Sequence, residues 1–267
     1  MSRMRIVVVG DALLDRDIEG VVDRLSPDAP VPVVDEAAQN IRPGGAGLAA
    51  LLLAGDGCDV TLITALASDP AGEEATTLLR KAGVEVVNLG LEGATPEKVR
   101  VRAAGRSLLR IDRGGSGRPG PFSPGASGVL GRAEGVLVSD YGRGLTGDCA
   151  LRRCISELQA GVPVVWDPHP RGASPLPHVR LVTPNLGEAE HFGGGPARGL
   201  SAVGAAGALG RKLLTAWRVG AVGITLGPKG AVLVEGANPP LVAASSSATK
   251  TKHFHTIFHS QGSMRCT

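Results

Sequence analysis

The sequence predicts an α/β protein with a doubly wound, mostly parallel central sheet flanked by helices. Short apolar runs rich in Val, Ile and Leu alternate with stretches rich in Ala and Leu, which is typical of strands covered on both faces. Aromatic residues make up only 3% of the 267 residues, so aliphatic side chains must fill the core. The expected strands are 5–10, 59–64, 85–89, 135–140, 162–167, 179–184, 221–227 and 231–236.

Helices are expected between these strands. The start of one is well marked, because Asp69 can cap the helix while Pro70 occupies a position that needs no backbone N–H. The expected helices are 45–53, 70–82, 148–160 and 201–217.

Two segments interrupt this alternation and predict a small β lid. One lies near residues 16–40 and contains APVPVVDEA, and the other lies near 97–113 and contains two strands joined by a turn at 104–106. An exposed lid sheet favours a homodimer through the lid. The Gly-, Pro- and Ser-rich stretch 114–128 is interpreted as a surface connection.

Composition excludes several classes of function. The net charge of +3 comes from 28 basic and 25 acidic residues, which leaves no basic footprint for nucleic acid or for a membrane surface. The N-terminal apolar run ends at Val9, which is too short for a signal peptide, and no run is long enough to span a bilayer. The four cysteines form no C-x-x-C pair, so we expect a cytoplasmic protein without a zinc site or a disulfide framework.

Carboxylates follow several of the expected strands. Asp11 and Asp15 come after the first strand, and Asp140 and Asp167 each end a later one. Ligands of open α/β sheets bind beyond the carboxyl ends of the strands, where carboxylates can accept hydrogen bonds from substrate hydroxyls. Turn capping explains each of these residues equally well when it is considered alone.

Glycines offer a second kind of contact. Gly44 and Gly45 precede an expected helix, where bare backbone N–H groups can approach a sugar or an anion. Thr225, Gly227 and Gly230 lie between two strands, in a turn that could pass close to a nucleotide or form a plain hairpin.

Asn185 and Glu188 stand three residues apart at an expected helix start and therefore share one face. An amide and a carboxylate in this arrangement can hold a hydrated Mg²⁺ ion together with phosphates.

The order and spacing of these motifs resemble the ribokinase-like, phosphofructokinase B type carbohydrate kinases. The similarity runs from Arg5 to about Val234, and the segment RLSPDAPVPVV is similar to the heptose-7-phosphate kinase branch. The segments that carry the resemblance are GDALLD, RLSPDAPVPVV, RPGGAG, LLRIDRG, VSDYGRG, WDPHPRG, TPNLGEAE and TLGPKGA.

The resemblance implies a kinase that uses ATP and Mg²⁺ to phosphorylate a sugar or sugar phosphate held under a small β lid. It assigns Glu188 to Mg²⁺ through water. The residues assigned to the sugar are Asp11, Asp15, Gly44, Gly45, Arg110 and Asp140, and those assigned to the nucleotide are Asn185, Glu188, Thr225, Gly227 and Gly230.

The sequence departs from the family pattern at several positions. Leu48 replaces a usual Asn, and Arg143 and His169 each replace a usual Lys. The family places its catalytic Asp in a late GAGD motif, but no Asp follows Asp167 here, so no catalytic residue is assigned.

The C-terminal stretch differs in composition from the rest of the chain. Residues 1–242 are expected to form a C-terminally incomplete kinase domain and 243–267 an aberrant, disordered tail. Its histidines, His253, His255 and His259, allow a metal site; a partner-binding tail and a shifted reading frame are the other readings, and the last is favoured. The chain could therefore be a kinase, an inactive sugar-phosphate or nucleotide-binding protein, or an unstable fragment.

Overall fold

The structure is a computed structural model that describes residues 3–159 and 161–244. Its strands, in chain order, are β1 (Arg5–Gly10), β2 (Ala12–Leu25), β3 (Pro32–Gly45), β4 (Asp59–Thr64), β5 (Glu85–Asn88), β6 (Leu91–Glu92), β7 (Glu97–Ala103), β8 (Arg106–Arg113), β9 (Arg118–Pro119), β10 (Gly135–Ser139), β11 (Val164–Asp167), β12 (Leu181–Val182), β13 (Ala221–Thr225), β14 (Ala231–Glu235) and β15 (Leu241–Ala243). Its helices are α1 (Ala46–Gly55), α2 (Pro70–Lys81), α3 (Pro124–Leu130), α4 (Cys149–Ser156), α5 (Leu186–Phe192) and α6 (Ala202–Trp217).

The main sheet has nine strands in the order β15-β14-β13-β12-β11-β10-β1-β4-β5. Seven neighbouring strands of this sheet, β5, β4, β1, β10, β11, β12 and β13, run parallel. Strand β14 is antiparallel to β13, and β15 is antiparallel to β14. The predicted α/β fold with a mostly parallel sheet is therefore confirmed.

The two faces of this sheet carry two separate hydrophobic cores. Val7 and Val9 of β1 point into the core that helices α3 to α6 cover, whereas Ile6 and Val8 point into the core that α1 and α2 cover. Alternating side chains that are apolar on both faces explain why the strand sequences read as continuous apolar runs.

A second sheet of four strands, in the order β3-β2-β7-β8, forms the predicted lid. The β7–β8 hairpin turns at Ala104 and Gly105, which both have positive φ, as a tight hairpin requires. Strand β2 begins at Ala12, immediately after β1, so Asp15 lies within a lid strand. The strand-end turn in which the sequence placed Asp15 is not formed.

The stretch 114–128 contains regular structure that the sequence analysis missed. Strand β9 pairs with β6, and α3 begins after Ser123, whose hydroxyl accepts a hydrogen bond from the Ala126 N–H at 3.2 Å. This Ser-Pro start is the same kind of signal as Asp69-Pro70, but the surrounding glycines and prolines concealed it. Helix α4 is shorter than expected and begins where Asp148 caps it.

The expected tail is described only as far as Ala244, and Ala243 ends β15. The three C-terminal histidines and all the interpretations of the tail lie outside the described residues. None of the helices in the described ranges is long and apolar enough to cross a membrane.

Arg16 joins the lid to the main domain. Its guanidinium donates to Glu97 of β7 at 2.7 Å, to Glu74 of α2 at 2.9 Å and to Gln39 of β3 at 3.2 Å. The Arg16 and Glu97 side chains are only 19% and 8% exposed, so water screens this ion pair weakly. Arg16 therefore fixes how the lid sits against α2.

We expect Arg16→Met to lower the free energy of unfolding by about 2 to 3 kcal/mol, because it leaves the buried Glu97 with fewer partners. Amide hydrogen exchange in β2 and β7 should accelerate. The matched control is Arg24→Met, which breaks an exposed ion pair with Asp35 and should cost about 0 to 1 kcal/mol. Equal effects of the two substitutions would contradict this role of Arg16.

Candidate active site

The polar residues predicted from the sequence lie along one edge of the main sheet. Because the strands are parallel, their carboxyl ends meet there. Asp11 follows β1, Asp140 follows β10, Asp167 ends β11, Asn185 comes shortly after β12 and Thr225 ends β13. At about 4.8 Å per strand this row extends for about 19 Å. Asp11 and Asp140, which were assigned to the sugar, thus lie towards one end of this edge, and Asn185 and Thr225, which were assigned to the nucleotide, lie towards the other.

Asp11 organises the sugar end of this edge. Its carboxylate is buried and accepts hydrogen bonds from the backbone N–H groups of Tyr141 at 2.9 Å and Arg143 at 3.1 Å. Burial raises the pKa of Asp11, although the two backbone bonds oppose this. Asp11 therefore ties the end of β1 to the loop that follows β10.

Asp15 of β2 is also buried. Arg100 of the lid donates to its carboxylate at 2.7 Å. Gly44 packs against the Asp15 carboxylate, and Gly45, with φ of 60°, packs against the Asp11 carbonyl; a Cβ at either position would collide with these groups. The structure therefore brings Asp11, Asp15, Gly44 and Gly45 together, as the sequence predicted.

Arg110 and Asp140 have other partners. Arg110 is exposed on β8 and forms a two-pronged ion pair with Asp112, whereas Arg100 is the lid arginine that reaches Asp15. The Asp140 carboxylate accepts from the Gly142 N–H at 2.7 Å and from the Thr146 hydroxyl at 2.6 Å. Asp140 thus performs the turn capping that the sequence analysis considered as the alternative to sugar binding.

Asn185 and Glu188 form a capping box at the start of α5. The Glu188 carboxylate accepts from the Asn185 N–H at 2.8 Å, and the Asn185 side chain accepts from the Glu188 N–H at 3.0 Å. The hydrogen bond from the Asn185 N–H engages one oxygen of the Glu188 carboxylate. The other oxygen of this carboxylate takes no part in the helix cap.

Thr225 lies next to Asn185, with which it forms a parallel β-bridge. The Thr225 N–H donates to the Pro184 carbonyl at 3.0 Å. Gly227 has φ of 60°, and among the described residues no atom lies within 4 Å of where its Cβ would be. Gly230 has φ of 100° and packs against the backbone of Ala243 in β15. Close packing of β15 thus accounts for Gly230, whereas Thr225 and Gly227 remain available to a nucleotide.

The sequence analysis missed the cations that surround Asp15. Lys98 of β7 is paired in register with Asp15, so it lies on the same face of the lid. Burial lowers the pKa of Lys98, and none of the carboxylates described here forms an ion pair with it. The sequence signal for this residue is the alternation of charged and apolar residues in KVRVR, which predicts that Lys98 and Arg100 share one face of a lid strand.

Arg143 closes the sugar end of the edge. It donates to the Gly115 carbonyl at 3.0 Å, and its buried Nε has no hydrogen-bond partner among the residues described. Asp11, Pro96, Gly115 and Arg143 are among the residues that line a small cleft at this point. The stretch 114–128, which the sequence analysis interpreted as a surface connection, therefore contributes a wall of the candidate site.

Asp167 lies in the middle of the edge, and its carboxyl group has a raised pKa. Burial and the nearby Glu188 and Asp140 carboxylates raise its pKa to about 7. Its closest partner is the Thr183 hydroxyl at 3.3 Å. Carboxylate oxygens are ligands that suit Mg²⁺. The described residues contain no group of three or more His, Cys, Asp or Glu side chains that could hold a metal ion.

We expect the raised pKa of Asp167 to make stability fall with pH. A carboxyl with a higher pKa in the folded state stabilises the protein below pH 4, and this contribution disappears as the pH rises through about 7. Asp167→Asn should remove that loss, so its stability relative to the wild type should rise by about 1 to 3 kcal/mol between pH 5 and pH 8 in urea unfolding. The exposed control Asp23→Asn should show no such trend, and a flat difference for Asp167→Asn would contradict this assignment.

The fold and this edge define an α/β protein with a row of polar side chains at the carboxyl ends of its parallel strands and a charged lid beside them. The sequence profile described as "pfkB family carbohydrate kinase" matches residues 3–251. The chain therefore belongs to the pfkB family of carbohydrate kinases, which are sugar phosphotransferases. This confirms the resemblance inferred from the motifs.

Curated relatives are similar over nearly all of the chain. The protein named "Bifunctional protein HldE" in Streptomyces coelicolor is 50% identical over 246 residues, which cover 92% of this chain and 52% of the relative. Its namesake in Azotobacter vinelandii is 34% identical over 252 residues, which cover 90% of this chain and 50% of the relative. The chain spans about half the length of these curated relatives.

Solved structures share the fold at low sequence identity. Arabidopsis thaliana ribokinase complexed with ribose and ATP has a TM-score of 0.63 at 19% identity, covering 91% of this chain and 78% of that one. Escherichia coli phosphofructokinase-2 in complex with fructose-6-phosphate has a TM-score of 0.65 at 18% identity, covering 93% of this chain and 82% of that one. Both likenesses agree with the ribokinase-like fold.

Proposed function

We propose that residues 1–242 form a carbohydrate kinase domain whose phosphoryl acceptor is a sugar phosphate of the heptose-7-phosphate type. The observation that carries this proposal is the concentration of cations around Asp15 beneath the lid. The carboxylate accepts hydrogen bonds from sugar hydroxyls, and the cations neutralise a phosphate on the same molecule. The HldE relatives and the RLSPDAPVPVV segment support the choice of a heptose phosphate.

The lid supplies these charges from one face. Asp15 and Asp17 of β2 lie in register with Lys98 and Arg100 of β7, and Arg100 contacts both carboxylates, at 2.7 and 3.4 Å. Arg100 therefore holds Asp15 in place, whereas Lys98 lies over the ring of Tyr141 and forms no ion pair within the described residues. A neutral sugar would use only the carboxylates, so a half-buried ammonium beside them favours an anionic acceptor.

The nucleotide is proposed to lie at the other end of the edge, near Asn185, Thr225 and Gly227, with Mg²⁺ bound through water to Glu188. ATP would supply the phosphoryl group, and Mg²⁺ would neutralise the charge that develops on that group during transfer. The protein contributes position, because phosphoryl transfer depends mainly on holding the acceptor hydroxyl in line with the donor.

A second candidate is a protein that binds these ligands without turnover. It is favoured by the absence of any Asp after Asp167 in the sequence, since the family motif that supplies the catalytic base carries one. The loss of a positioned base alone lowers a rate by about 10² to 10⁴.

Calorimetric titration separates these functions. We expect heptose 7-phosphate to bind at least tenfold more tightly than the unphosphorylated heptose, because the lid cations bind the phosphate. Arg100→Met should weaken that binding about tenfold by releasing Asp15, whereas the exposed control Arg106→Met should leave it unchanged.

A phosphotransfer assay on the same protein decides between the candidates. Heptose-phosphate-dependent formation of ADP supports the kinase, and binding without ADP formation supports the second candidate. Preference for the unphosphorylated heptose would contradict the proposed acceptor, and a chain that binds neither sugar nor ATP would contradict both candidates.

We also propose that the lid forms a homodimer. On the face opposite Asp15, Ile18, Val101 and Leu109 lie in register across three strands. Leu109 and the neighbouring Ile111 are exposed, whereas Ile18 and Val101 are half-buried. This apolar face supports association with a second copy, because self-complementary apolar surfaces favour two-fold dimers.

The dimer is tested by sedimentation velocity. We expect the wild type to sediment as a dimer at micromolar concentration and the double variant Leu109→Glu/Ile111→Glu to sediment as a monomer, because buried charges oppose association. Leu241→Glu places the same charge on the distant strand β15 and should leave the dimer intact. A monomeric wild type would exclude this dimer.

A further inference from the structure

Tyr141 is the only tyrosine in the chain, and it lies between the two ends of the candidate site. Its position is fixed from both sides. Its backbone N–H donates to Asp11, and the next residue, Gly142, has φ of 70° and donates to Asp140. A side chain on so constrained a backbone has little freedom to leave the site.

The ring of Tyr141 bridges the main domain and the lid. The ring edge packs on Gly45, where an added Cβ would lie 3.4 Å from Cε2. The ammonium of Lys98 lies 5.8 Å from the ring centroid, within the range of a cation–π contact. Tyr141 is therefore in contact with both the floor and the roof of the space that holds Asp15.

Three carboxylates from three different elements act on the phenol. Asp15 belongs to the lid, Asp167 ends β11 and Glu188 lies on α5. Burial first, and then these charges, raise the pKa of Tyr141 to about 12, against a hydrogen bond with Ser139. The phenol therefore keeps its proton at physiological pH and can donate it in a hydrogen bond.

These contacts place Tyr141 between Asp15 and Lys98 of the lid and the strand-end carboxylate of Asp167. We propose that Tyr141 is an acceptor-binding residue: its ring packs against the sugar ring, and its hydroxyl donates a hydrogen bond to a sugar oxygen beneath Lys98. This inference rests on the proposed function, because it assigns a residue of the same site. A ring that only fills space between lid and sheet would make no difference to sugar affinity.

Tyrosine absorption reports on this contact directly, because a single tyrosine contributes it. The wild type, Tyr141→Phe and Tyr141→Leu are titrated with heptose 7-phosphate, heptose and ribose, by calorimetry and by near-ultraviolet difference absorption. Lys98→Met is titrated alongside, with Lys81→Met as its exposed control and Trp217→Phe as an aromatic control on α6. Thermal unfolding of each variant verifies folding.

We expect a bound sugar to perturb the tyrosine difference spectrum of the wild type. Tyr141→Phe should weaken sugar binding about 5- to 10-fold by removing one hydrogen bond, and Tyr141→Leu should weaken it several-fold further by removing the ring. Lys98→Met should weaken binding of the phosphorylated sugar much more than binding of the unphosphorylated one. The two control variants should bind like the wild type.

The outcomes for Tyr141 and for the proposed acceptor are distinguishable. Sugar binding that leaves the tyrosine spectrum and both Tyr141 variants unchanged overturns the inference while the acceptor proposal stands. A perturbed Tyr141 with tighter binding of ribose or of unphosphorylated heptose supports the inference and overturns the acceptor proposal. Binding of none of the three sugars by folded protein overturns both.

Discussion

The hydrogen bonds from the Tyr141 and Arg143 backbone to the Asp11 carboxylate are the interactions on which the candidate site depends. They join the end of β1 to the loop after β10, two strands that are adjacent in space but about 130 residues apart in sequence. Through this junction one carboxylate sets the position of the ring of Tyr141 and of the guanidinium of Arg143. The lid closes over the same point, since β2 starts one residue after Asp11.

Charge balance gives the edge two different ends. At the sugar end, Lys98, Arg100 and Arg143 surround the carboxylates of Asp11 and Asp15. Further along the edge, burial first, and then the neighbouring Glu188 and Asp140 carboxylates, raise the pKa of Asp167. The proposed anionic acceptor suits the cations at the first end, and the Mg²⁺ ion of the proposed nucleotide suits the carboxylates further along the edge.

The sheet and most of the edge were predictable from the sequence, because apolar periodicity is local and parallel strands bring their ends together by topology alone. Asp11 at the end of β1 could therefore be placed on this edge from the sequence alone. Lys98 and Tyr141 were missed, since their importance arises from register across the lid and from a loop folding back on Gly45. Such contacts join residues distant in sequence, and no local pattern marks them.

Arg110 was assigned to the sugar from the sequence, but Arg100 is the lid arginine that contacts Asp15. It shares a face with Arg100 because the two residues are paired in register, yet Arg100 is the one adjacent to β2 and so reaches Asp15. Only the strand order β3-β2-β7-β8 decides between them.

A crystal structure of the chain with heptose 7-phosphate and a non-hydrolysable ATP analogue tests the central claim most directly. The account places sugar hydroxyls on the Asp15 carboxylate, the sugar ring against Tyr141 and the sugar phosphate against Lys98 or Arg143, with the nucleotide beside Asn185 and Thr225. A sugar phosphate bound away from the lid, with its phosphate distant from these cations, would contradict it.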